Sequence, residues 1–83
     1  MARLFIGNIP HSSSEEDLKQ WIESWGFQTE SAEIVRNNSS GRSRGFGFVT
    51  LAEDRRLQEA IDVLHGQRMG GRALTVNVAI PRS

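Results

Sequence analysis

Two apolar stripes constrain what this chain can fold into more than any other feature. Leu18, Trp21, Ile22 and Trp25 recur at i, i+3, i+4 and i+7, as do Leu57, Ala60, Ile61 and Leu64. Each set lies along one face of an α-helix. A helix with one apolar face must bury it against another element. Four strand-like runs are available, at residues 3–8, 31–36, 44–51 and 73–78. The first helix starts near Ser13 or Ser14, where either Ser13 with Glu16 or Ser14 with Asp17 fits a capping box. The second spans residues 53–65. Gly26 and Gly66 stand where the helices must stop, and Pro10 and Pro81 where the first and last strands must end. Residues 37–41, Asn-Asn-Ser-Ser-Gly, form a polar loop, and Gly70-Gly71 makes a turn.

The resulting order, β-α-β-β-α-β, is the split βαβ pattern of ferredoxin-like α+β folds. It predicts a four-stranded antiparallel sheet in the order 4-1-3-2. Both helices cover one face and leave the other open. With 83 residues the chain is expected to be one domain over 1–83. Burying about 60% of its unfolded surface leaves little room for a deep catalytic pocket. The absence of cysteine excludes disulfides, thiolate metal sites and a cysteine nucleophile. No apolar run approaches the roughly 18 residues of a membrane span, and the residues before the first strand are too few for a signal peptide. An intracellular, cytoplasmic protein is expected, or a nuclear one in a eukaryote.

The third strand carries the functional information. Side chains alternate between the two faces of a strand. Val49 and Leu51 are apolar and face the helices, so Arg44, Phe46, Phe48 and Thr50 face outward. In the first strand Leu4 and Ile6 face inward and Phe5 outward. Three phenylalanines on adjacent strands are thereby exposed, a costly arrangement that marks a binding surface. Burying them instead would push Val49 and Leu51 into solvent. Unpaired bases stack on such rings, at about 1–3 kcal/mol each, while arginines meet phosphates.

Net charge is zero, but its distribution is uneven. The predicted helices hold eight acids, Glu15, Glu16, Asp17, Glu23, Glu53, Asp54, Glu59 and Asp62, against Lys19, Arg55 and Arg56. Strands, loops and tail hold Arg3, Arg36, Arg42, Arg44, Arg68, Arg72 and Arg82 against Glu30 and Glu33. The basic side therefore coincides with the aromatic side.

Arg44-Gly45-Phe46-Gly47-Phe48-Val49-Thr50-Leu51 resembles the eight-residue ribonucleoprotein motif of the RNA-recognition-motif family, and Leu4-Phe5-Ile6-Gly7-Asn8-Ile9 its six-residue partner. The resemblance covers nearly the whole chain. The wording of residues 41–49 is most similar to glycine-rich and cold-inducible RNA-binding proteins. It implies a single-stranded RNA-binding module, with single-stranded DNA as an alternative ligand. In that role Phe5 and Phe48 each stack under a base, Phe46 packs on sugars and Arg44 pairs with a phosphate. Arg42, Arg3 and Asn77 complete the expected contact set, while Asn8 is structural. The loop carrying Arg42 is expected to be mobile until RNA crosses the sheet. No catalytic residue, metal or cofactor is expected. A monomer is, with the helical face open to a protein partner.

Three departures stand out. Leu51 replaces a frequent aromatic, at a position that faces the core. Glu33 stands where relatives tend to carry a basic residue, and the segment 26–36 is one residue longer, so its facing is open. Elsewhere the plain structural readings prevail. Trp21 and Trp25 lie on the helical stripe and belong in the core. His11 and His65 lack ligand-spaced neighbours and read as surface or capping groups. Gly45-Phe46-Gly47 precedes a strand and lacks the third glycine of a phosphate-cradling loop. Two other functions compete: a protein-binding relative, which would lack the exposed aromatics, and an acyl phosphate hydrolase, which would need an arginine and an asparagine around a phosphate loop.

Overall fold

The computed structural model describes residues 2–79. Pro81 and Arg82, named above as a strand end and a basic residue, lie outside the described residues. Strand β1 (Ala2–Gly7) leads to helix α1 (Glu15–Glu23), strands β2 (Thr29–Arg36) and β3 (Ser43–Leu51), a 3-10 turn at Asp54–Arg56 and helix α2 (Leu57–Leu64). A two-residue hairpin follows, β4 (Arg68–Met69) with β5 (Arg72–Ala73), and then strand β6 (Thr75–Val78). The main sheet is antiparallel in the order β2-β3-β1-β6. With β6 as the fourth long strand, this is the expected 4-1-3-2.

Inward residues of the sheet, Leu4, Ile6, Ile34, Val49, Leu51 and Val76, join Leu18 and Ile22 of α1 and Ala60 and Leu64 of α2 in one core. Both helices therefore share one face. Among the described residues no buried side-chain polar atom lacks a partner. Ser14 closes the capping box: its hydroxyl accepts from Asp17 N–H at 3.1 Å, and Asp17 accepts from Ser14 N–H at 3.0 Å. Asn8 turns the chain out of β1 at φ 62° and its amide donates to the Ala73 carbonyl at 2.9 Å.

Three expectations need correction. Trp25 is not core: α1 ends at Glu23, so Trp25 falls in the turn after the helix and is 41% exposed. It rests edge-on against Trp21, which is partly buried and donates through Nε1 to the Arg68 carbonyl at 3.1 Å. Phe27, two residues further on, enters the core instead, with the Arg56 guanidinium over its ring at 4.4 Å. The last strand does not begin at Ala73, because that residue is spent on the β4–β5 hairpin. Finally, Arg36 is not part of a free basic rim, since it donates to Glu15 at 2.8 Å across to α1.

That contact holds the Glu15 carboxyl below its usual value, chiefly through the Arg36 hydrogen bond. A carboxyl lowered in the folded state stabilises it above the unfolded pKa, and the gain fades as pH falls through the folded value. Both side chains are well exposed, so Glu15→Gln is expected to cost only about 0.5 kcal/mol at neutral pH. The difference between variant and parent in urea denaturation should vanish in acid.

Candidate nucleic-acid interface

The ladder registers align the open face in rows. Phe5 lies opposite Phe48 on one side and Asn77 on the other, and Phe48 lies opposite Glu33. One row therefore runs Glu33, Phe48, Phe5, Asn77 across all four strands. Phe5 touches both neighbouring rings, with centroids 5.9 Å from Phe46 and 5.9 Å from Phe48. The three rings are half-buried, while Val49 and Leu51 beside them are fully inside. Leu51 thus faces the core and leaves the open face untouched.

Glycines shape this surface. Gly45 takes φ +83° at a bulge opposite the end of β2, and its carbonyl accepts from Ile9 N–H at 2.8 Å. Gly47 has a different reason. A Cβ there would run into the Glu33 carbonyl oxygen and lie 3.0 Å from the Ile34 Cα. The β2 main chain is pressed onto β3 at this point, and Glu33 is held in place by its backbone.

The charged residues divide into three places. Arg44 lines an open hollow with Phe5, Asn8, Phe46 and Arg72. Arg42 lines a separate hollow with His11, Ser12, Arg36 and Ser43. His11 stands at both, and its Nδ1 donates to the Ser43 carbonyl at 2.9 Å. Arg3 lies over Phe48, its guanidinium carbon 4.6 Å from the ring centroid, and pairs with Glu33 at 3.2 Å. Arg42, Arg44 and Arg72 make no ion pair among the described residues. Asn77 stands in the central row, but its side-chain oxygen accepts from Val78 N–H at 3.2 Å, which leaves its NH2 to donate.

Of the seven residues expected at the site, the sheet brings Phe5, Phe46, Phe48, Arg3 and Asn77 onto one face and seats Arg44 beside it. Arg42 stands apart. Glu33, whose facing the sequence left open, is on the open face. The sequence marks Arg72 only as one basic residue among several, because a two-residue hairpin has no periodicity to place it at the same hollow as Phe46.

The RNA recognition motif family matches residues 4–75, which include Phe5, Phe46, Phe48 and Arg44, with Arg3 and Asn77 just beyond the two ends. The chain belongs to that family. Among relatives of this RNA recognition motif, the 28 kDa chloroplastic ribonucleoprotein of Spinacia oleracea is 43% identical over 98% of the chain and 34% of its own length. The glycine-rich RNA-binding protein of Daucus carota is 39% identical over 96% of the chain and 50% of its own. The chain thus spans between a third and a half of these relatives. The crystal structure of RNA-binding protein PG1 superposes with a TM-score of 0.87 at 34% identity, covering 100% of this chain and 99% of that one. The Sxl-lethal protein/RNA complex gives 0.86 at 26% identity, covering 99% and 48%. The resemblance to glycine-rich proteins thus holds, and chloroplastic names stand beside them.

Proposed function

We propose that this motif binds single-stranded RNA across the open face of its sheet, as a binding module without chemistry of its own. The observation that carries this reading is the contact of Phe5 with both Phe46 and Phe48 on a solvent-facing surface. Bases stack on Phe5 and Phe48, and sugars pack on Phe46. Arg44 and Arg72, beside the same rings, meet phosphates. The RNA-binding names of the relatives and the RNA complex among its structural neighbours support the ligand class. A base plane fits these rings whatever its identity, so the platform supplies affinity more than selectivity. One chain forms all of this platform, so RNA binding in this mode requires no second copy.

Titration with a short RNA, followed by the aromatic resonances of the three rings, tests the site directly. Shifts confined to the helical face would refute it. Salt gives a second measure. With about three phosphates engaged and roughly −0.7 per contact, the log–log slope of affinity against salt should be near −2. A flat response would remove the arginines from the interface.

Arg42 contributes at the rim. Its loop closes on Asn37: the Asn37 side chain accepts from Ser39 and Ser40 N–H, and Asn37 N–H donates to the Arg42 carbonyl at 2.8 Å. These contacts are all local to the loop, and Arg42 itself is exposed, so the loop is free to order further when RNA crosses the sheet. Arg42→Ala is expected to weaken RNA binding by about 1 kcal/mol, as for one charge-assisted contact. It should also make the salt slope shallower by about 0.7. An unchanged slope would leave Arg42 a solvated charge. A second, compatible reading concerns the other face. The exposed Trp25 favours a protein partner there, and Trp25→Ala should then abolish that association without changing RNA affinity.

A further inference from the structure

Glu33 is an odd residue to place beside a nucleic-acid platform. It lies opposite Phe48 in the ladder, on the open face, and its carboxylate meets Arg3 at 3.2 Å. Phosphates repel a carboxylate, so it gives nothing to backbone binding. Its side chain is 67% exposed, so it gives little to the core. What an ionised carboxylate does well is accept hydrogen bonds, through two oxygens.

The bases differ sharply in what they can donate. Guanine offers N1–H and the N2 amino group side by side, spaced to meet both oxygens of one carboxylate. Cytosine and adenine offer one amino group each on their pairing edges. Uracil offers one N–H flanked by two carbonyl oxygens, which the carboxylate repels. A base stacked on Phe48 turns one edge toward the neighbouring strand, and Glu33 stands there.

We propose that Glu33 selects the base that stacks on Phe48, favouring guanine and disfavouring uracil. This deepens the sheet-face reading and rests on it. The main chain makes the placement firm, because β2 lies so close to β3 at Gly47 that a Cβ there would collide with the Glu33 carbonyl. Arg3 supplies the other half of the device. In the free protein it lies over the Phe48 ring and holds the carboxylate at the platform's edge. An entering base takes over that ring face. Arg3 then swings toward the phosphate of the same nucleotide, and Glu33 is released to the base.

The test uses a U-tract RNA of about eight nucleotides and copies carrying one guanine, inosine, cytosine or adenine at the centre. A lone guanine in a uniform tract can slide to whichever platform prefers it. The wild-type chain should bind the single-guanine RNA roughly tenfold more tightly than the all-uracil RNA, as for one two-point base contact. Inosine, which lacks the N2 amino group, should fall between. Glu33→Ala should shrink the guanine preference to about twofold or less, and should tighten binding of the all-uracil RNA as repulsion is relieved. Glu33→Gln, which keeps one acceptor oxygen, should retain part of the preference. An undiminished guanine preference in Glu33→Ala would overturn the assignment. So would an equal gain for every RNA, which would make Glu33 a repelling charge and nothing more. If Phe48→Ala bound every RNA as well as wild type, the platform itself would fall, an outcome distinct from both.

Discussion

Gly47→Ala is expected to destabilise the fold by about 3 kcal/mol, at the upper end of the range for overpacking a tight site. The added methyl would meet the Glu33 carbonyl oxygen and the Ile34 Cα. Both are main-chain atoms, so no side-chain rotation relieves the overlap, and β2 has to move away from β3. That movement disrupts the pairing around Ile34 and Glu33. In a domain of this size each kcal/mol shifts the melting temperature by roughly 4–8 °C, so a fall of more than 10 °C should be seen. Gly45→Ala makes an instructive partner. The nearest atoms to its Cβ would be 3.7 Å away, so the cost there comes from φ +83° alone. It should be nearer to 1 kcal/mol. Thermal melts of the two variants check both claims. A Gly47→Ala protein melting within a few degrees of wild type would mean that the strands do not approach as closely as described.

The second large effect concerns binding. Replacing Phe5 and Phe48 together with alanine should weaken RNA binding by about 3 kcal/mol, more than a hundredfold. In the proposed binding mode each ring would supply a stacking surface worth about 1–3 kcal/mol. The sum falls short of twice the larger value because the rings touch, and neighbouring substitutions are not additive. Phe5→Ala alone should exceed Phe48→Ala, since it also removes the support of Phe46. The fold should survive. Neither ring belongs to the core, and the lost cross-strand pair is worth less than about 1 kcal/mol. Fluorescence anisotropy with labelled RNA, alongside a thermal melt, separates the two effects. Wild-type affinity in a folded double variant would eliminate the open face as the site.

The central strands were legible because a period of two leaves no freedom. Once Val49 and Leu51 are inside, Phe46 and Phe48 are outside, and the structure has them so. What escaped has three physical sources. The facing of Glu33 depends on irregular pairing of β2 with β3, between Thr29 and Ser31 and again between Ile34 and Arg36, and a slipped register has no compositional signature. Trp25 fits the helical period, but the period does not say where the helix stops, and α1 ends before that residue. The pairs Arg3–Glu33 and Arg36–Glu15 join residues distant in sequence, so they exist only once the sheet and helices are assembled. The charge count placed Arg36 correctly on the strand side, yet its partner lies on α1.

The outer border of β6 has a consequence for solution behaviour. Ala79 N–H points back to the Arg3 carbonyl, so by alternation the N–H groups of Leu74, Val76 and Val78 point away from the sheet. Exposed rows of this kind template the addition of strands from other molecules. Here each one is already engaged. Leu74 donates to the Gln67 carbonyl at 2.8 Å, Val76 to His65 Nδ1 at 3.1 Å, and Val78 to the Asn77 side chain at 3.2 Å. A histidine at the end of α2, a residue just before the small hairpin and the strand's own asparagine together blunt this border. A chain that displays three phenylalanines on its face thereby offers a neighbouring copy no free N–H at these three positions of the β6 border.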